Sequence, residues 1–340
     1  MAKTKIEKID NLFEKADEPS ITEENAGTFE PSIGIVQELL TCQGYERMPS
    51  ETLSSYGKFG KNTKANLKKF RIKHGLQKAD GKLEIDHETL RRLVQEPAIS
   101  PRASRGYLAL ALDVEITGLI RILSFVTIAE GAGKFNAFNP NTDSKGLSYG
   151  IIQWAQRPIR LAEIVSAYQT GDPTLFQSVF GASGANMIIH TRKPRGGVNA
   201  SGQTTDRQFD LIRNPWKERF SKAALSVPFQ KIQVSTAVIA FTAAIADLRT
   251  YAVKIRSHRG YGFMLDMGNQ HGVTGAKSIY NKVVTAEMNE EEALKAMTDE
   301  SHRRLKVQYG DESNEANATL ERRELFRTTT LLSTDDFNEN

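Results

Sequence analysis

Two acidic side chains of this chain stand in contrasting surroundings. Glu130 follows the apolar run 119–129, which predicts a buried helix with a carboxylate at its end. Asp143 comes a short segment later and opens the run 143–154, where Gly146 and Gly150 punctuate a predicted short strand. Two carboxyl groups in different environments can divide acid–base work, one protonated and one ionised. These residue types therefore predict the chemistry that cleaves a glycosidic bond.

The neighbours of the two carboxylates indicate which one carries the proton. Glu130 leaves an apolar segment, so we expect partial desolvation to keep it protonated as the general acid. Asp143 lies among the hydrogen-bonding residues of 141–144, which would hold it ionised, and Ser148 could bind a water molecule. Spacing alone also fits a solvent-facing helix end for Glu130 and an ordinary turn for Asp143.

Composition predicts a soluble globular protein with more than one domain. The 340 residues suffice for two domains and a sizeable core, and 39% hydrophobic with 25% charged residues is ordinary for a soluble protein. The net charge of +4 would favour an acidic polymer. Cys42 is the sole cysteine, which excludes an internal disulfide framework and fits synthesis in a reducing compartment.

The chain shows no sign of membrane targeting. Charged residues interrupt the N-terminal segment, which lacks the apolar core of a signal peptide. The longest mainly apolar stretch, 234–246, is too short to span a bilayer and predicts a central buried helix. We therefore expect synthesis in the cytoplasm without a signal peptide and no stable membrane insertion.

Turn signals and prolines divide the chain into three predicted parts. Residues 1–30 predict a short amphipathic helix and a polar linker, and residues 31–97 predict a compact unit of three short helices. The prolines of 97–101 predict a linker. Residues 103–335 predict a larger domain, with helices near 108–130, 158–169, 209–224, 229–256, 273–284 and 289–306. A long polar loop is expected at 183–208 and a frayed tail at 333–340.

The segment 31–97 resembles peptidoglycan-binding domains of the three-helix type. The landmarks that carry this resemblance, in order, are 36–40, 44–45, 59–63, 67–70, 74–76, 80–81, 85–86 and 89–90. Arg71 departs from the pattern, because the family often has Gln after the Phe. The resemblance implies a wall-binding surface that includes Tyr45, Tyr56, Phe59 and Thr63.

The segment from Glu130 to 152 resembles the active-site region of lysozyme-superfamily glycosidases, and most closely that of the family 46 chitosanases. The resemblance implies that Glu130 is the general acid, Asp143 the base that activates water, and Ser148 a group that holds this water. Lys145 replaces an Arg of that family and loses its bidentate fork. The spacer between the carboxylates is also shorter than in the chitosanases.

Further residues are candidates for contact with the glycan. The run 150–154 resembles the Gly-x-x-Gln segment of goose-type lysozymes and lytic transglycosylases, and 192–195 predicts a basic loop that could grip carboxylates or simply be solvated. The expected substrate-binding residues are Lys145, Tyr149, Gln153, Arg192 and Arg195.

Other chemistries find little support in the sequence. The spacing of His258, His271 and His302 is not that of a metal site, so we expect no metal and no cofactor. There is no phosphate-binding loop, and no basic and aromatic pattern that would predict a nucleic-acid partner.

Together these patterns predict a mainly α (α+β) protein: a three-helix binding module, then a lysozyme-like helical domain with a small β-hairpin at the active-site cleft. The expected function is a modular, bacteriolytic peptidoglycan hydrolase of the endolysin type, most simply an inverting muramidase that acts as a monomer on the cell wall. A holin or a secretion machine would have to export it. A lytic transglycosylase, a chitosanase and a non-catalytic wall-binding protein are the alternatives.

Overall fold

The computed structural model describes residues 4–22, 28–45, 55–95, 104–131, 133–140, 146–156, 160–192 and 210–338. The fold is mainly helical, as predicted, and it contains two small sheets where one small β-hairpin was expected. The helices are α1 (Glu7–Glu14), α2 (Pro31–Cys42), α3 (Lys61–Lys73), α4 (His87–Gln95), α5 (Arg105–Leu110), α6 (Gly118–Gly131), α7 (Arg160–Gly171), α8 (Pro173–Phe180), α9 (Gly184–Arg192), α10 (Trp216–Ala224), α11 (Val227–Tyr251), α12 (His258–Val283), α13 (Glu290–Tyr309) and α14 (Asn314–Thr328).

Both sheets are antiparallel and built from strands of two residues. The first pairs β1 (Ile21–Thr22) with β2 (Glu84–Ile85). The second has the order β3 (Phe138–Asn139), β4 (Ser148–Tyr149) and β5 (Trp154–Ala155). The second sheet forms where the sequence predicts a short Gly-punctuated strand.

The chain divides into two compact units. The first comprises residues 1–116 and 130–236, and the second comprises residues 117–129 and 237–340. The predicted linker at 97–101 lies outside the described residues, and the predicted boundary there falls within the first unit. The boundaries of the binding module and of the catalytic domain stay predictions.

The N-terminal segment of the first unit packs on α4. Ile9 and Leu12 on α1 are fully buried, and His87 of α4 bonds through Nδ1 to the carbonyl of Leu12 at 2.9 Å. Ile21 pairs with Ile85 across the first sheet. Part of the expected polar linker is therefore a strand, because its apolar residue fills the core beside α4.

Gln37, a polar residue of α2, forms hydrogen bonds with the segment between α2 and α3 and with α3 itself. The Gln37 carboxamide accepts a hydrogen bond from Gly57 N at 2.9 Å and donates one to Thr63 Oγ1 at 2.8 Å. Arg71 is also buried, and it donates to the carbonyl of Glu84 at 2.6 Å and to Thr89 Oγ1 at 2.7 Å. Arg71 thus joins α3 to β2 and α4.

α5 packs directly against α2. Gly106 lies so close to the Ile35 side chain that an added Cβ would come within 2.7 Å of it. Arg105 donates to Glu38 Oε1 at 2.8 Å and to the Tyr56 hydroxyl at 2.9 Å, and Tyr56 also donates to Glu38. The residues just after the predicted linker are therefore integrated with the helices that precede it.

The second unit is centred on α12, α13 and α14. The Asp266 carboxylate is fully buried on α12 and accepts hydrogen bonds from Arg322, at 2.8 and 2.9 Å, and from Arg323. The Phe125 ring meets the Phe326 ring edge-on at a centroid distance of 4.8 Å. Gly272, with φ 73°, interrupts α12 just before the predicted start of a helix at 273.

Two expectations about irregular segments are wrong. Residues 184–192, expected in a polar loop, form α9, because Met187 and Ile188 are buried against α7. The tail is not frayed up to residue 338, because Phe337 is buried and its backbone N–H donates to the carbonyl of Arg256 at 2.7 Å.

One helix in the described ranges, α11, is long and apolar enough by length and composition to cross a membrane. The core helices of soluble proteins pass the same test.

Candidate active site

Glu130 occupies the last turn of α6, as the sequence predicts for its backbone, and its side chain lies outside the described residues. The helix begins after Thr117, whose hydroxyl accepts a hydrogen bond from Ile120 N at 3.3 Å. Beyond the helix, Gly133 adopts φ 72°, a left-handed conformation that reverses the chain at little cost for glycine. Phe135 is then buried and leads into β3.

The three-stranded sheet brackets the segment that carries the second carboxylate. Asn139 of β3 is the Cα partner of Ser148 of β4, so residues 140–147 connect two paired strands. Asp143 and Lys145 belong to this connection and lie outside the described residues. Glu130 and the sheet belong to the same compact unit.

Ser148 and Tyr149 lie on opposite faces of β4, because side chains alternate along a strand. The Tyr149 side chain is fully buried, its ring 4.7 Å from that of Phe220, and its hydroxyl donates to the Phe220 carbonyl at 3.0 Å. Burial raises the pKa of Tyr149 well above its ordinary value. Ser148 is half-buried on the other face.

This packing corrects the expected role of Tyr149. A fully buried ring between the sheet and α10 cannot stack on a sugar in this structure, so Tyr149 is a core residue. Trp154 is likewise fully buried, with its ring beside Gly150. The role of Ser148 as the holder of a water molecule stays a prediction.

The turn between β4 and β5 depends on two left-handed residues. Gly150 has φ 78°, and an added Cβ would lie 2.7 Å from Gln233 Oε1 and 2.9 Å from the Trp154 ring. Gln153 has φ 52°, which is uncommon for a residue with a side chain. Both its backbone N–H and its Nε2 donate to the Gly150 carbonyl, at 3.0 and 3.1 Å. The expected substrate-binding residue Gln153 thus closes the turn.

Gln233 of α11 forms hydrogen bonds with the backbone on both sides of the β3–β4 pair, a role that was not predicted from the sequence. Its Oε1 accepts a hydrogen bond from Ile151 N at 3.1 Å, and its Nε2 donates to the Phe135 carbonyl at 3.0 Å. The side chain is fully buried. The chain before β3 and the turn after β4 are thereby fixed to one carboxamide. Glutamines three residues apart, at 230 and 233, in an apolar helix were the available signal.

Gln156, also missed, holds the end of the connection that contains Asp143. Its backbone N–H donates to the Leu147 carbonyl at 2.7 Å, and its Oε1 accepts from Leu147 N at 3.2 Å. Gly146, with φ 74°, packs so tightly on this carboxamide that no side chain would fit. The Gln156 side chain therefore sets where the connection rejoins β4.

No protein-family model and no curated protein matches this chain.

The remaining predicted glycan contacts lie at or beyond the end of α9. Arg192 is the last residue of that helix, and its side chain is outside the described part of the structure. Arg195 also lies outside the described residues.

The predicted wall-contacting residues are mostly internal. Phe59 is fully buried, Thr63 bonds to Gln37, and Tyr56 is 7% exposed with its hydroxyl bonded to Glu38. Only Tyr45 of the four is half-buried, with its ring edge-on to Phe70 at 5.9 Å. The expected contact role is corrected for the other three, whose side chains hold the helices together.

Proposed function

We propose that this protein is a peptidoglycan-degrading glycoside hydrolase that binds the bacterial cell wall and cleaves its glycan strands as a muramidase. The observation that carries the proposal is the order of parts along residues 118–149. Glu130 lies in the last turn of a helix, the next connection between paired strands contains Asp143, and Ser148 opens the following strand on the face opposite to the buried Tyr149. This layout supplies an acid, a base and a hydroxyl within one short stretch of chain.

In the proposed reaction the Glu130 carboxyl donates its proton to the oxygen of the scissile glycosidic bond as that bond breaks. The Asp143 carboxylate takes a proton from a water molecule, whose oxygen forms the new bond to the anomeric carbon. Ser148 orients this water. Attack by water from the opposite face inverts the anomeric centre, which needs carboxyl groups roughly 6.5–9.5 Å apart.

The resemblance of residues 31–97 to a wall-binding module supports the choice of polymer. Attachment to an insoluble wall raises the local concentration of the cutting site without any new contact to the scissile bond. In this proposal the protein acts as a monomer on the wall, after release through a holin-type pore or transfer by a secretion machine.

Digestion of purified sacculi tests the proposal. Wild-type protein should clear the suspension and release soluble fragments whose reducing ends, by mass spectrometry, are on muramic acid. Anhydro ends would identify a transglycosylase, release from chitosan alone a chitosanase, and binding without soluble sugar a non-catalytic wall-binding protein.

Glu130→Gln in the same assay tests the general acid. It should lower the rate by about 10²- to 10⁴-fold, because the amide cannot donate the proton. Glu163→Gln is the matched control, since Glu163 is an exposed glutamate on α7. Equal clearing by folded Glu130→Gln and Glu163→Gln proteins would exclude Glu130 as the acid.

A further inference from the structure

The exposed face of α3 is rich in lysines. The helix spans Lys61–Lys73 and contains Lys61, Lys64, Lys68, Lys69 and Lys73 but no acidic residue. Its buried face is formed by Thr63, Asn66, Leu67, Phe70 and Arg71. Lys61, Lys68 and Lys69 are exposed, and none of the three has an ion-pair or hydrogen-bond partner among the described residues.

Three of the four acidic residues of 55–95 lie close to other cations, and the fourth, Glu88, is exposed on α4. Residues 55–95 contain eleven Lys and Arg and four Asp and Glu, a net charge of +7 against +4 for the whole chain. Asp86 faces Arg71 at 3.4 Å, Glu84 pairs with Lys78, and Asp80 lies 3.9 Å from Lys82. The positive charges of Lys61, Lys68 and Lys69 therefore face solvent.

This arrangement works against the stability of the helix. Lys61 stands in the first turn, where the helix dipole disfavours a cation, and no acidic residue is present there to offset it. Lys64 and Lys68, like Lys69 and Lys73, are like charges four residues apart on one helix, a spacing that is destabilising. Local rules of this kind are broken in real proteins chiefly at functional sites.

We propose that the exposed lysine face of α3, defined by Lys61, Lys68 and Lys69, is an electrostatic docking surface for the carboxylates of peptidoglycan. This inference rests on the proposed function for its choice of polymer. A row of ammonium groups on flexible stems fits a polymer with repeated, loosely ordered carboxylates, because each contact is non-directional. Such binding weakens with salt, since the screening length is about 10 Å at 0.1 M ionic strength.

The test is co-sedimentation of the full-length protein with purified sacculi, in a Glu130→Gln background that preserves the polymer. The variant is Lys61→Gln/Lys68→Gln/Lys69→Gln. The control is Lys217→Gln/Lys222→Gln/Lys306→Gln, which removes the same charge from lysines with no ion-pair partner in the described structure. At low salt the α3 variant should bind about tenfold more weakly or worse, and the control should match its parent.

Two further measurements identify the role and the partner. The α3 variant should have an unchanged or higher Tm, because neutralising these lysines removes repulsion; a lower Tm together with weak binding would instead assign them a structural role and overturn the proposal. Sacculi whose carboxyls are converted to neutral amides should bind the parent as weakly as native sacculi bind the α3 variant. Sacculi stripped of phosphodiester polymers should still bind the parent protein.

Other outcomes would overturn the docking surface. These are equal binding by the α3 variant and the control, full binding to amidated sacculi, or lysine-dependent binding to duplex DNA or anionic vesicles without any dependence on wall carboxyls. Fragment release is measured separately on the Glu130-containing protein. Lysine-dependent binding without release would refute hydrolysis alone, and release without lysine-dependent binding would refute the docking surface alone.

Discussion

Gln233→Leu tests how the candidate site is held in place. The substitution keeps roughly the shape of a buried side chain but removes a carboxamide with two partners of the main chain, Ile151 N at 3.1 Å and the Phe135 carbonyl at 3.0 Å. Each buried backbone group left without a partner costs about 1–3 kcal/mol, so the two together should lower the free energy of unfolding by about 2–6 kcal/mol.

The same change should impair catalysis in the folded protein. Without the carboxamide the turn at Gly150 loses its anchor, and Ser148 at the start of the strand shifts with it. A displacement of about 1 Å in a catalytic constellation can cost about 10²-fold in rate. We expect kcat on soluble glycan fragments to fall by that order, with a smaller change in KM, because the proposed water site rather than sugar binding is disturbed.

Gln230→Leu is the matched control. Gln230 lies one turn earlier on the same helix, is equally buried, accepts a hydrogen bond from the Tyr107 hydroxyl at 2.6 Å and donates one to the Ala224 carbonyl at 2.6 Å, and neither partner is a residue of the sheet. Urea denaturation should show similar destabilisation of both variants, and kinetics should separate them. Equal losses of kcat, or a Gln233→Leu protein within about 1 kcal/mol of wild type, would refute the anchoring role.

Three other perturbations have defined outcomes. Gly150→Ala should destabilise by more than about 1 kcal/mol in urea titrations, and by more than Gly75→Ala, since both have positive φ but only at Gly150 would the added Cβ meet other atoms. Burial lowers the pKa of His271 from 6.5 to about 4, so the unfolded chain binds more protons between these values. His271 therefore makes stability fall as pH drops from about 6.5 to 4, and His271→Gln should flatten the urea midpoint over that window; an unchanged slope would contradict this. Asp143→Asn should be more impaired than Ser148→Ala, because water can partly replace a hydroxyl, and NMR of the first product should show an inverted anomer; a retained anomer would refute the role of Asp143 as base.

Local signals predicted much of the helical architecture but not its breaks. The predicted helix 108–130 is two helices, α5 and α6, and Asp113 between them has φ 55°. The sequence did contain a signal for the beginning of α6, because Thr117, directly before Gly118, is a residue type preferred at the N-cap of a helix. α8 was missed although Asp172 caps it and Pro173 follows at its first position. A prediction from apolar periodicity alone misses such helix ends when a long stretch is mostly hydrophobic.

The parts of the candidate site that sequence could not supply depend on contacts between distant segments. Glu130 at a helix end and a strand at 148–149 follow from local composition. The anchoring by Gln233 joins residues 82 positions apart, and nothing in the neighbourhood of either residue specifies the partner. The role of Arg71 could not be predicted for the same reason. Its guanidinium donates hydrogen bonds to the carbonyl of Glu84 and to the hydroxyl of Thr89, which are distant in sequence, and these bonds explain why Arg is accommodated where the resembled family often has Gln.

The sequence did contain one constraint that bears on the active site, the strand period of two. Ser148 was predicted to hold the catalytic water and Tyr149 to contact the glycan in the same cleft, yet adjacent residues of a strand point to opposite faces, so a single cleft can receive only one of them. The aromatic cluster that packs against the sheet decides which of the two side chains is buried. In this cluster Tyr168 stacks on Phe229 at 4.3 Å, and the Tyr149 ring packs on Phe220. Burial of that large ring removes more apolar surface from water than burial of a serine would, and the same register places the Ser148 side chain on the opposite face, where it is half-buried.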